Sequence, residues 1–262
     1  IVTEGQKQKA PFYTDKDWGT NQGRKEWGGP KIDFVFQDPW GADDDTDIEY
    51  TYLNIMNGIN SPHLRPEDIV AGWKSHINNW IWVSNRSARD LMGRGVLPPA
   101  TSIGTANRNH LMIDAQLTTE IFGALCPGMP AKALELASLP ILTTASGHAA
   151  HAAQFYVVLY SLATLTDQEI SKRDQVIWLV KEAMKYIPET SKTYGIADFV
   201  LNDFLTNPDV NDWERTRDKI YDRYHLHAAK NGFHYWEWYE SSVNFASGLI
   251  ALLYGQGDYK RT

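Results

Sequence analysis

The sequence predicts one compact all-α domain over residues 1–262, and three observations carry that prediction. Apolar residues recur at helical spacing through most of the chain, strand-like alternation is nearly absent, and Gly147 to about Leu165 is an Ala-rich, almost wholly apolar stretch. A helix that is apolar all round belongs at the centre of a bundle. The length suffices for a substantial core, and no fixed-period repeat or low-complexity tract divides the chain.

The first forty residues, rich in Gly, Lys, Asp and Trp, show little periodicity and are expected to be mostly loop, with Phe36-Gln37-Asp38-Pro39-Trp40-Gly41 as a rigid aromatic turn. Helical patterning begins at Asp43-Asp44-Asp45-Thr46-Asp47, where Ile48, Tyr52, Ile55 and Ile59 form a stripe and Thr46 with Glu49 has capping-box spacing. Pro66-Glu67-Asp68 opens the next helix, whose stripe is Ile69, Trp73, Ile77 and Trp80, and Gly93 and Gly95 close the region before Leu97-Pro98-Pro99. A further helix is predicted from about Leu111 to Leu125, stopped by Pro127-Gly128, and a short one after Met129-Pro130. The central stretch comes next. Amphipathic helices are then predicted near residues 168–186, 192–205, 212–224 and 240–254.

The acidic run is the densest concentration of charge in the chain. Two carboxylates about 4 Å apart repel by roughly 4 kcal/mol at an effective dielectric near 20, whereas a helix N-terminus returns only about 0.3 to 1 kcal/mol per anion. The side chains therefore either splay into water as an over-capped helix start, or converge on a hard cation, for which Mg²⁺ or Ca²⁺ is the natural candidate. Asp43 with Asp47, and Asp45 with Glu49, share helix faces if the helix begins early enough.

Bulk properties bound the partners. A formal charge of −7 disfavours nucleic acid or an anionic membrane surface, leaving small molecules or proteins. The single Cys126 rules out an intramolecular disulfide framework, which suits a reducing compartment without requiring one. No apolar run approaches the roughly 20 residues needed to span a bilayer. Ile1 is not an initiator Met and no leader pattern follows it, so localisation stays open. The Asn85-Arg86-Ser87 sequon is weak evidence for secretion.

Four segments, taken in order, carry a family resemblance. Asp43-Asp44-Asp45-Thr46 is similar to a Thr-Asp-Asp-Thr metal motif, with Asp43 in place of the usual Thr. Ile113-Asp114-Ala115-Gln116 through Cys126-Pro127-Gly128 resembles a Gln-containing helix followed by Pro-Gly. Ala133-Leu134-Glu135-Leu136-Ala137 leading to Thr143-Thr144-Ala145-Ser146-Gly147-His148 is similar to a substrate-side turn, and Ser242 to Tyr254 with Gly257-Asp258-Tyr259 resembles the helix before a second metal motif. The set resembles the ADP-ribosylglycohydrolase family over residues 35–262. That family opens with a Gly-Asp-Ala-Leu-Gly-type helix, which has no counterpart in residues 1–34, and its second Asp-x-Asp motif would follow Thr262. The chain is therefore expected to be an internal piece, incomplete at both ends.

The resemblance implies an orthogonal multi-helix bundle with a binuclear Mg²⁺ site, Asp43, Asp44 and Asp45 supplying the first set of ligands. It names no general acid in this chain. Ser146, Gly147 and His148 are candidates to border the substrate, since a Gly turn entering a helix offers free N–H groups to phosphate or sugar oxygens; Ser146 reads equally as an ordinary cap. His148 and His151 stand three apart, yet nothing nearby completes a zinc set, and His151 on its Ala-rich helix reads as structural. Gln116 and Glu120, four apart on one predicted helix, either satisfy a core network or touch substrate. The aromatic run Phe233-His234-Tyr235-Trp236-Glu237-Trp238-Tyr239 serves either core packing or stacking on a sugar or base.

The expected function is Mg²⁺-dependent hydrolysis of an ADP-ribosyl or related glycosidic linkage, on a small-molecule or ADP-ribosylated substrate. The competing readings are a metal-independent carbohydrate glycosidase using two carboxylates, and a homologue kept for ligand binding or structure.

Overall fold

The computed structural model describes residues 44–77, 81–165, 169–226 and 239–262. Over these residues the protein is all-α: the helices are α1 (Asp44–Ile59), α2 (Pro66–His76), α3 (Val83–Gly93), α4 (Asp114–Thr118), α5 (Ile121–Leu125), α6 (Pro130–Thr144), α7 (Gly147–Ala163), α8 (Lys172–Met184), α9 (Lys192–Thr206), α10 (Trp213–Ile220) and α11 (Ser241–Gly255). A π turn, Tyr221–Leu226, extends α10, and the one isolated bridge among the described residues joins Met112 to Glu240.

The apolar stretch forms α7, and its two faces serve two cores. Ala149, Ala150, Ala153 and Val157 pack with Ile48, Tyr52, Trp73, Phe122 and Ile141 of α1, α2, α5 and α6. Ala152, Phe155, Val158 and Leu162 pack with Val180, Ile196, Phe204, Phe245 and Leu249 of α8, α9 and α11. The rings interlock edge to face, as between Phe155 and Phe245 at 5.1 Å. Small residues set the closest crossings: a Cβ on Gly123 would collide with the Val157 carbonyl, so α5 lies backbone to backbone on α7. Helix starts are fixed locally. Ser171 accepts from Asp174 N at 3.1 Å, Ser191 accepts from Tyr194 N at 3.1 Å, and Pro66 occupies the first turn of α2 while Asp68 accepts from Arg65 N at 3.0 Å.

Four expectations are corrected. The helix expected to open at Pro66 with a stripe reaching Trp80 ends at His76, and a separate helix, α3, runs to Gly93; Trp80 lies outside the described residues. The Leu111–Leu125 helix is broken into α4 and α5 at Thr119, whose backbone (φ −129°, ψ −2°) leaves the helical region. The short helix after Met129 is instead 15 residues long, running through Pro140. An interior proline costs roughly 3 kcal/mol, and the burial of Leu136, Ala137, Pro140 and Ile141 offsets it. Finally, α1 starts at Asp44, so Thr46 lies inside the helix and is no cap. The first forty residues, Asp43 and the aromatic run Phe233–Trp238 lie outside the described residues, and so do the loop, ligand and stacking roles expected of them. Among the described residues no helix is long and apolar enough to cross a membrane.

Candidate functional site

With α1 beginning at Asp44, Asp45 and Glu49 stand one turn apart on the same face. Glu49 also reaches across to a second helix. Its Oε1 accepts the Ile121 N–H at 2.9 Å, satisfying one of the donors that the first turn of α5 leaves without an intrahelical partner. That bond brings an ionised carboxylate beside Glu120, the residue in the break between α4 and α5. Burial first, and the Glu49 charge second, push the half-buried Glu120 carboxyl from 4.5 up to about 7. Tyr160 of α7 donates its hydroxyl to Glu120 Oε1 at 3.4 Å. Its ring is 41% exposed, so the carboxyl pair opens to solvent beside an aromatic wall. Burial and Glu120 in turn raise the Tyr160 phenol to about 12, which keeps it a donor.

A second polar cluster lies at the other end of α7. Ser146 occupies the N-cap position, but its side chain does not cap. It donates instead to the Ser102 carbonyl at 2.8 Å and lies 2.7 Å from His110 Nδ1, pinning the preceding loop. Gly147 takes φ +57°, a left-handed turn that glycine supplies without strain. His148 Nε2 meets Glu240 Oε1 at 2.6 Å, with Lys192 Nζ at 3.6 Å from the same oxygen. Glu240 is 5% exposed and also caps α11, accepting from Ser242 N at 2.7 Å and Ser242 Oγ at 2.8 Å. Burial alone would raise its pKa, but the His148 hydrogen bond, Lys192 and Ser242 outweigh that and hold it below the usual carboxylate value. Thr193 Oγ1 donates to the His148 carbonyl at 2.7 Å, so the starts of α7, α9 and α11 are tied at one joint. His110 and His151 are both held below the ordinary histidine pKa, by burial first and by His148 second.

Gln116 and Glu120 do not share a face, because the helix that would have stacked them is interrupted. Gln116 is buried, with Oε1 unpartnered among the described residues. Its neighbour Asp114 turns inward and accepts from Ser84 N and Asn85 N, both at 3.1 Å, capping α3 from outside. Burial raises the Asp114 carboxyl and these two bonds moderate the rise.

The residues singled out from sequence thus divide between two places. His148 and Tyr160 are twelve positions apart on α7, roughly 18 Å at 1.5 Å per residue. Glu120 lies at one end with Glu49, one helical turn beyond Asp45, while Ser146, Gly147 and His148 lie at the other with Glu240. Asp43 and the Asp44 side chain fall outside the described residues. Among the described residues no group of three His, Cys, Asp or Glu side chains converges as metal ligands would. Sequence reasoning missed Glu49, Lys192, His110 and Glu240 as partners. No local signal marks them, since Glu240 is 92 positions from His148 and Glu49 is 72 positions from Ile121. No protein-family model, curated protein or solved structure matches the chain.

Proposed function

We propose that this protein is the helical scaffold of a Mg²⁺-dependent glycohydrolase acting on an ADP-ribosyl or related glycosidic linkage. The reading rests on the likeness of Asp43-Asp44-Asp45-Thr46 to the metal motif of the ADP-ribosylglycohydrolase family, and one structural observation carries it further. Asp45 lies in the first turn of α1, and the next turn of that helix, at Glu49, abuts a carboxyl raised to about 7, which holds its proton in roughly half of molecules at pH 7. The donor set fits the ion. Carboxylate oxygens are what Mg²⁺ prefers, and a helix start cannot by itself offset their mutual repulsion. Asp43, Asp44 and Asp45 would hold it, and when bound it would supply water orientation and stabilisation of developing oxyanion charge. Glu49 and Glu120 line the adjoining stretch of α1 and α5, and Tyr160 offers a ring face for a sugar.

The test is hydrolysis of ADP-ribosylated peptides by the full chain with Mg²⁺ and with excess EDTA. Turnover that needs Mg²⁺, and that Asp44→Ala abolishes while helical circular dichroism stays intact, is the expected result. Turnover unchanged in EDTA would replace the reading with a metal-independent glycosidase. ADP-ribose binding without turnover would replace it with a ligand-binding homologue.

A further inference from the structure

The ordinary reading of a half-buried glutamate at a helix break is a cap, and at this break the cap is a different residue. The bond from Ile121 N goes to Glu49, which leaves the Glu120 side chain outside the capping arrangement. That bond also fixes the Glu49 charge beside Glu120 rather than letting it swing into water. Tyr160 of α7 meets Glu120 Oε1 at 3.4 Å and is itself partly exposed, so the bonded pair reaches the protein surface. The groups facing Glu120 are Glu49 of α1 and Tyr160 and Tyr156 of α7. The charges of α6, Lys132 and Glu135, pair with each other at 2.9 Å.

Within the glycohydrolase reading, on which this rests, we propose that Glu120 donates the proton to the leaving-group oxygen, with Tyr160 as its positioning residue. In that step the bond between the anomeric carbon and the leaving oxygen breaks, and the oxygen takes the proton from the Glu120 carboxyl. Water forms the new bond to the anomeric carbon, and the proton it releases restores Glu120, so one water is consumed and the carboxyl is returned unchanged. An ordinary glutamic acid, with a pKa of about 4.3, keeps its proton in less than about 1% of molecules at pH 7. A carboxyl at about 7 keeps it in roughly half.

The experiment compares two ADP-ribose substrates, one with an alkyl-linked and one with a p-nitrophenyl leaving group, on the wild-type full chain and on Glu120→Gln. A good leaving group departs without protonation. Glu120→Gln is therefore expected to lose about 100-fold or more in kcat on the alkyl-linked substrate, less than about 10-fold on the p-nitrophenyl one, and the fall in kcat above pH 7. Equal losses on both substrates would make Glu120 structural and overturn the assignment, as would no loss on either. Mg²⁺-dependent wild-type turnover that Glu120→Gln leaves intact removes Glu120 alone. No wild-type turnover of either substrate removes the glycohydrolase reading together with it.

Discussion

Replacing Glu120 by Gln should change how stability depends on pH, whatever the protein's function. The folded protein raises this carboxyl from 4.5 to about 7 by burying it beside Glu49. At about 1.36 kcal/mol per unit, ionising it in the folded state costs about 3 kcal/mol, an upper value because Glu120 is only half-buried. The sign follows from which state holds the proton more tightly. A raised folded pKa means that the stabilising contribution is complete below pH 4.5 and is lost as pH climbs through 7. Urea unfolding of the wild type should therefore show stability falling by up to about 3 kcal/mol from this group between pH 4.5 and pH 8. His110 and His151 titrate nearby with the opposite sign, because their folded pKa values are lowered. They contribute equally to both proteins and cancel in the difference. Glu120→Gln keeps the shape and removes the titration, so it should match the wild type at pH 4.5 and exceed it by about 3 kcal/mol at pH 8. Parallel stability curves across that range would refute the argument that burial and Glu49 hold the proton in place.

Two more substitutions probe the joints around α7. His148→Ala leaves Glu240 buried with only the longer Lys192 contact for charge, and unfolding should show a loss of about 3 kcal/mol; a loss below about 0.5 kcal/mol would mean that this pair does not tie α7 to α11. Gly123→Ala drives a methyl group into the Val157 carbonyl, which should lower stability by about 3 kcal/mol in the same assay, and a neutral result would contradict the close crossing of α5 and α7.

Much of the helical plan was legible because each later helix carries its own punctuation. Pro66 marks one helix start, and the Ala-rich, nearly all-apolar composition of α7 announces a helix buried along most of its length. What the sequence concealed was set by tertiary competition. A continuous apolar stripe from Ile69 to Ile77 does not reveal that α2 stops at His76, since Ile69 and Trp73 before the stop and Ile81 and Ala88 beyond it bury in the same core. Only a short helix is expected after Met129-Pro130, yet it runs through Pro140, which is buried with Leu136, Ala137 and Ile141. Ser146 reads as a cap or a ligand contact, yet its hydroxyl is taken by Ser102 and His110, residues that no spacing rule connects to it. Glu120 was visible as a polar residue in an apolar setting, but its altered proton affinity comes from burial first and then from Glu49, brought there by a bond across 72 positions.

Sharing one helix between two cores has a consequence for how the protein comes apart. Neither half can melt alone, because losing α1, α2 and α6 bares Ala149, Ala153 and Val157, while losing α8, α9 and α11 bares Phe155, Val158 and Leu162. Each partial opening carries the cost of a stripped apolar face on α7, so this helix couples the two halves, and the amides at its centre are expected to be among the slowest in the protein to exchange with solvent.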